Sequence, residues 1–247
     1  MLPENVIALD WMHTLSLGVF QSWLAHCVHA LAKVDVWKTG AADYSSRLTL
    51  SIYRFSSDFQ FWVRDQNRRF DRNLTEAGAL KREFFGSLKK PKCALKAGET
   101  NAFLEYVVSI LPGHVPSLGD RGPLILRSGQ HLLNLLTIIR AHPKKAIAVV
   151  CQDFHRSAKA YLRCLADLRI PYKPKDHMLL ELATRMPFMG SPQLYGCWHD
   201  EALNRLLKEV AGSAHALVHE RRVLVGFPRA YDNARSGLTT AKRRRSE

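Results

Sequence analysis

The chain has 247 residues, of which 47% are hydrophobic and 23% charged, which is typical of one large or two small globular domains. Its 36 basic residues outnumber 22 acidic ones, and the net charge of +14 favours polyanionic partners, nucleic acid first and acidic membrane surface second. We expect no membrane span and no secretory signal, and the five widely spaced cysteines, without a CxxC pair, indicate an intracellular protein with reduced thiols and no zinc ribbon.

The most informative stretch lies close to the N-terminus. The apolar run Val6–Leu9 predicts a buried strand that ends at Asp10, the position at which α/β sheets build their sites. From Trp11 to Lys33 the spacing predicts a mostly buried helix, and His13 lies on its apolar side, one turn after Asp10 and within reach of its carboxylate. The polar side of this predicted helix comprises Thr14, Gln21, Ser22, His26, His29 and Lys33.

Two interpretations of the Asp10 and His13 pair are open. In the first, Asp10 is a helix N-cap and His13 is held in the core by a hydrogen bond. In the second, Asp10 is a strand-end carboxylate that binds a metal ion or transfers protons beside the imidazole. The pattern alone does not decide between them.

The middle of the chain reads as helical, and no other strand is predicted with assurance. The segment Arg47–Phe55 is compatible with helix or strand, and the Gly- and Pro-rich segment Pro116–Pro123 is the best internal hinge candidate. Helical patterns between prolines predict four further helices, at Gly98–Leu111, Ser128–Ala141, Lys144–Leu168 and Lys175–Met186.

Positive charge is concentrated in two segments. Residues 54–96 contain 11 basic and 5 acidic residues, and aromatic side chains alternate with arginines between Phe55 and Phe70. This mixture suits base stacking beside phosphate contacts, but an amphipathic helix that buries its aromatics under a basic face produces it too. The second segment, 221–247, ends in Lys242, Arg243, Arg244 and Arg245, which is either a solvated tail or a nuclear-localisation or phosphate-binding patch.

Near the C-terminus a Gly- and Pro-containing loop leads into a predicted helix whose apolar stripe includes Leu203 and Leu207. Glu201 lies opposite that stripe, and acidic residues in a first helical turn are favoured by the helix dipole without any chemical role.

Three segments together resemble motifs of large eukaryotic mobile-element transposases of the CACTA and Kyakuja–Dileera–Zisupton types. The first runs from Leu9 through Asp10 and His13 to Gly18 and Val19, and is similar to their D-x-M/L-H…L-G-V motif. The second, Lys173–Leu180, resembles their KPKxHxLxH segment, and the third, Trp198–Asn204, resembles their DExxN helix start.

The resemblance implies the C-terminal part of a ribonuclease-H-like α/β domain with a large helical insertion, so that the chain would be predominantly α with little β. It implies a strand–helix piece of the catalytic core at 1–37, a helical insertion at 38–190, a catalytic-core helix at 191–225 and a basic, disordered tail at 226–247. Asp10 and Glu201, with Asp200 as a substitute, would be Mg²⁺ or Mn²⁺ ligands for DNA strand cleavage and transfer, and His13 would support them or contact substrate.

Two departures from the family limit the expected activity. The first carboxylate of the family has no counterpart before Asp10, and Glu181 stands where the KPKxH segment has its second histidine. We therefore expect a truncated fragment or remnant that binds metal weakly and cuts nothing as an isolated chain.

Two other functional classes are open. The chain could be a non-catalytic, basic helical protein that binds DNA, or a helical interaction protein whose charge aids solubility. A metal hydrolase based on His26 and His29, or on His177 and His199, is the weakest hypothesis, because these histidines lack a shared ligand spacing.

Overall fold

The computed structural model describes residues 9–144 and 146–197. The chain divides into two compact units, residues 1–195 and 196–247. Only Gly196 and Cys197 of the second unit are described, so the architecture below is that of the first. Most of the predicted strand at 6–9, the predicted helix after residue 200 and the basic tail lie outside the described residues.

Helices form nearly all of the regular structure in the described part of the chain, which confirms a predominantly α protein with little β. The β structure found there is an isolated antiparallel bridge between Gly86 and Pro91. A π-helix at Met12–Phe20 continues directly into the first of the six α-helices formed by the described residues, which are α1 (Gln21–Lys33), α2 (Tyr44–Phe70), α3 (Ala97–Ile110), α4 (Gly122–Ala141), α5 (Ala148–Asp167) and α6 (Pro174–Met189). No helix among the described residues is both long and apolar enough to cross a membrane.

The π-helix and α1 run through the centre of the unit. The π-helix packs against α3 and α6, and α4 packs along α5, which packs along α6. The prediction that Thr14 and His29 lie on a polar side is wrong, because their exposed fractions are 0% and 2%. Thr14 lies in the π-helix, where the backbone bonds reach one residue further than in an α-helix, so the rotation per residue is smaller than the assumed value and the faces shift. His29 lies in α1, where it is covered by Tyr44 and Phe85, whose hydroxyl and carbonyl oxygens it contacts.

Helix α2 accounts for both ambiguous segments of the sequence. Arg47–Phe55 and Phe55–Phe70 both lie within it, and the Asp43 carboxylate caps it by accepting a hydrogen bond from the Ser46 N–H at 2.9 Å. Phe55 and Phe59 are fully buried, and each packs edge-on against Phe103 of α3 with ring centroids 5.0 Å apart. The amphipathic-helix interpretation therefore holds for these two aromatics.

Two prolines that were expected to lie outside helices are located within them. The hinge candidate Pro116–Pro123 is not an open loop, because a 3₁₀ segment at Pro116–Arg121, kinked at Gly119, leads directly into α4. Pro123 lies in the first turn of α4, where its missing N–H costs nothing, so this helix begins six residues before the predicted Ser128. Helix α6 continues through Pro187 and ends two residues later, at Met189.

Candidate nucleic-acid interface

Asp10 acts as a cap at the start of the π-helix. Its carboxylate oxygens accept hydrogen bonds from the backbone N–H groups of Met12 and His13, each at 3.1 Å, and its Oδ2 also contacts the Nδ1 atom of His13. The predicted carboxylate–imidazole contact is thus present. The His13 side chain is 44% exposed, so it is not a core histidine.

Two of the three segments that resemble transposase motifs are in contact at the π-helix, through His13 and Lys175, which lie 162 positions apart in the sequence. The Lys175 ammonium of α6 donates a hydrogen bond to the His13 carbonyl at 2.8 Å. Its methylene chain crosses Gly18, where an added Cβ would lie 3.0 Å from the Lys175 side chain and 2.9 Å from the His13 carbonyl oxygen. A glycine at position 18 therefore permits the contact.

The described residues do not by themselves fit a two-metal centre. Such a centre needs several carboxylates, whereas Asp10 contributes one whose oxygens already accept the hydrogen bonds of a cap. Across residues 9–144 and 146–195, no three His, Cys, Asp or Glu side chains converge closely enough to share an ion. Asp200 and Glu201 lie outside the described residues, so their predicted metal role, and Mg²⁺ or Mn²⁺ with it, stays a prediction.

A basic groove follows the solvent side of α1. Its first part is an enclosed pocket of about 130 Å³ lined by the α1 residues His26, Ala30 and Lys33, with Arg121 opposite them. Its second part is a more open pocket of about 230 Å³ lined by Gln21 and Ser22 of α1 together with three lysines, Lys92, Lys173 and Lys175. Pro91 lines both parts, so they adjoin and form one feature, which we call the α1 groove.

Four cations of the α1 groove are accessible to a ligand, one of which, Arg121, also donates a hydrogen bond to the Leu168 carbonyl at 3.2 Å. Lys175 is engaged with the His13 carbonyl. Lys33, Lys92, Arg121 and Lys173 are all exposed. None of the four forms an ion pair with a carboxylate of the described residues. By contrast, Arg64 and Arg69 on α2, within the segment that the sequence favoured, pair with Glu76 and Asp65. The structure thus offers a second basic surface besides the predicted one.

The two histidines of the enclosed pocket differ in their bonding. His29 is fully engaged, since its Nδ1 lies 2.5 Å from the Tyr44 hydroxyl and its Nε2 lies 2.8 Å from the Phe85 carbonyl oxygen. The His26 ring has no hydrogen-bond partner within the described residues. Burial, reinforced by the positive charges of Lys173, His29 and Arg121, lowers the pKa of His26 to about 4, so its imidazole is neutral at physiological pH.

Among the described residues that line the α1 groove, Asp176 contributes the carboxylate. It is 3% exposed, and its Oδ2 caps α6 by accepting a hydrogen bond from the Lys173 N–H at 2.7 Å. Burial raises the pKa of Asp176. This carboxylate therefore serves the helix end and lies below the solvent-exposed surface of the groove.

Comparison of the chain with protein-family models, with curated proteins and with solved structures gives no match. The assignment of this site consequently depends on its own geometry and charge.

Sequence reasoning found only part of the α1 groove. It placed Gln21, Ser22, His26 and Lys33 on one side of the first helix, and these four line the groove. It included Lys92 only as one of the basic residues of segment 54–96 and Lys173 only as part of a transposase-like motif, and it did not single out Arg121. These three come from separate loops or helix ends. Their common signal is a position next to a proline or glycine at an element boundary, which is too general to single them out.

Proposed function

We propose that this chain is a non-catalytic nucleic-acid-binding protein that holds the phosphate backbone of DNA in the α1 groove. The observation that carries the proposal is the convergence of Lys33, Lys92, Arg121 and Lys173, all without a carboxylate partner in the described part of the chain, on one groove. Phosphate contacts by lysine and arginine supply most of the affinity of non-specific DNA binding.

The charge of the whole chain supports the same partner. A net charge of +14 raises the local concentration of a polyanion and speeds its association. The groove adds what the net charge lacks, which is a concave surface lined by several exposed cations. If the positive charge served only solubility, there would be no reason for cations from four parts of the chain to line the same groove without carboxylate partners among the described residues.

The test is the salt dependence of duplex DNA binding, measured by fluorescence anisotropy. The groove variant replaces Lys33, Arg121 and Lys173 with Gln, and the matched control replaces Arg64, Arg68 and Arg69 of α2 with Gln. The slope of log Kobs against log salt falls by about 0.9 for each lost phosphate contact. We expect the slope of the groove variant to be smaller by about 2 to 3, and that of the control to change by less.

Three results would overturn the proposal. The first is a wild-type affinity that does not change with salt. The second is a larger loss of slope in the α2 control than in the groove variant, which would return the interface to the segment that the sequence favoured. The third is equal loss in both variants, which would indicate a response to net charge alone.

A transposase ancestry is a second candidate, favoured by the contact between Lys175 and the His13 carbonyl, which joins two of the three resembling segments. Its test is strand cleavage of DNA in Mg²⁺ or Mn²⁺. We expect no cleavage by this chain, in keeping with a remnant. Cleavage that disappears in Asp10→Asn would instead indicate a working metal site.

A further inference from the structure

We propose that the enclosed pocket beside His26 receives one unpaired nucleobase of the bound strand. This inference rests on the proposed function, because the surrounding α1 groove must first hold the phosphates. It adds to that function a preference for DNA with an unstacked base over continuous duplex.

The walls of the pocket suit a flat, largely apolar ring. Trp23, Ile125, Leu168 and Ile170 contribute to them. The volume of about 130 Å³ is roughly ten times what one water requires, which matches a group of about ten heavy atoms, the size of a base. Leu88 lines the same pocket and is 52% exposed, so an occupant would also cover this side chain.

His26 supplies the polar recognition. A neutral imidazole has one N–H donor and one acceptor nitrogen, and no described residue uses either of them. The edge of a nucleobase presents the same combination of donors and acceptors. The imidazole can therefore bond to a base edge without taking up a proton.

The same features argue against a phosphate inside the pocket. A phosphate would need charged or multiple donors deep within it, whereas His26 is uncharged, His29 is already bonded at both nitrogens, and the two cations of the pocket are exposed. The cations Lys33 and Arg121 are exposed, so they suit the phosphates on either side of an inserted base. The base would thus bind inside the pocket and the phosphates outside it, as in proteins that extrude a nucleotide from the stack.

The experiment compares three short DNA duplexes of otherwise equal sequence. The first is fully paired, the second carries one extrahelical thymine, and the third carries an abasic residue at that point. We expect the wild-type protein to bind the thymine bulge about tenfold more tightly than the paired duplex, because an already unpaired base enters without an unstacking cost. The abasic bulge should bind like the paired duplex.

A pocket-filling variant makes the test specific. Ala30 lies on α1, lines the pocket and is partly exposed, so Ala30→Leu occupies the cavity with little effect on folding. Ala30→Ser is the matched control that leaves the pocket open, and thermal unfolding confirms that both variants fold. We expect the ratio of the affinities for the thymine bulge and the paired duplex to fall from about tenfold to about one in Ala30→Leu and to stay about tenfold in Ala30→Ser.

The outcomes separate this inference from the proposed function. Equal wild-type binding of all three duplexes, with steep salt dependence, would overturn the base pocket and leave the phosphate groove intact. A bulge preference that survives in Ala30→Leu, or that the abasic bulge shares, would overturn it as well. Absence of binding to any of the duplexes would overturn both.

Discussion

Glu105 of α3 joins three parts of the chain through one buried carboxylate. The residue is 8% exposed, and its two oxygens bind the guanidinium groups of Arg72 and of Arg140, the latter at 2.5 Å. Arg72 follows α2 and Arg140 lies on the last turn of α4. The interaction therefore fixes the chain after α2 against the α3–α4 pair.

We expect Glu105→Gln to lower the free energy of unfolding by about 2 kcal/mol, because a charge-assisted hydrogen bond contributes about that much and two arginines lose their counter-ion. Urea denaturation measures the effect. Glu83→Gln removes the same charge from an exposed turn and should change stability little. Equal effects of the two substitutions would show that net charge, rather than this bridge, matters.

Contacts between single residues were predictable only at short range. The Asp10–His13 contact follows from a spacing of three residues, and the sequence predicted it. The hydrogen bond from Lys175 to the His13 carbonyl could not be predicted by spacing, since it depends on how α6 packs against the π-helix. The resemblance to transposase motifs includes both segments, but it does not indicate that they are in contact.

The contact between Lys175 and the π-helix gives a prediction about that element. Lys175→Met keeps the methylene length over Gly18 but removes the donor to the His13 carbonyl. We expect a loss of about 1 kcal/mol and faster amide hydrogen exchange within 12–20, measured by mass spectrometry, because π-helical bonding is weak without outside support. Lys159→Met, on the exposed side of α5, is the control. Unchanged exchange in the Lys175 variant would contradict a supporting role.

Gly129 of α4 lies against the Trp23 indole of α1. A Cβ built there would lie 2.5 Å from Cζ2 of Trp23, whose indole N–H donates to the Ser128 hydroxyl at 2.8 Å. We expect Gly129→Ala to destabilise the protein by about 1 to 3 kcal/mol in spite of the better helix propensity of alanine, because the indole is rigid and fully enclosed.

The comparison for Gly129 is Gly113, which has open space around the same atom and a backbone that any residue can adopt. Gly113→Ala should be neutral or slightly stabilising, because it reduces the freedom of the unfolded chain. The two variants should therefore shift the midpoint of thermal unfolding in different directions. A stabilising Gly129→Ala would mean that α1 and α4 can separate without cost.

Element by element, the sequence predicted the helices well and their phases less well. The helix at Gly98–Leu111 was placed to within one residue of α3, because Pro112 and Gly113 end its apolar pattern. The polar side predicted for the first helix was wrong at Thr14, since single-sequence periodicity does not distinguish π from α bonding, and at His29, since its partners Tyr44 and Phe85 come from later segments of the chain. The α1 groove was predicted only in part, because one of its walls is a helix face and the other is formed by loops that are distant in sequence.

For the whole molecule, the histidines decide how stability depends on pH. Burial lowers the pKa of four of them, His26, His29, His114 and His131, below their ordinary value of 6.5. The histidines of the unfolded chain become protonated near pH 6.5, whereas these four histidines of the folded protein become protonated only at lower pH. The unfolded state therefore binds more protons than the folded state below pH 6.5. Stability should therefore fall as the pH drops from 6.5, and the contribution of His26 should level off near its folded pKa of about 4.

The expected profile of the thermal midpoint is a plateau above pH 7 and a decline between pH 6.5 and 4. Asp176 works in the opposite direction, since burial raises its pKa and its protonation favours the folded state, but it acts only towards the acid end of this window. His26→Gln removes the group with the largest resolved histidine shift, so its decline should be shallower than that of the wild type. Gln152→Asn, at an exposed position of α5, removes no titratable group and is the control that should leave the slope as it is. If the slope of His26→Gln equalled that of the wild type, folding would not lower the pKa of His26, and the predicted profile would be wrong.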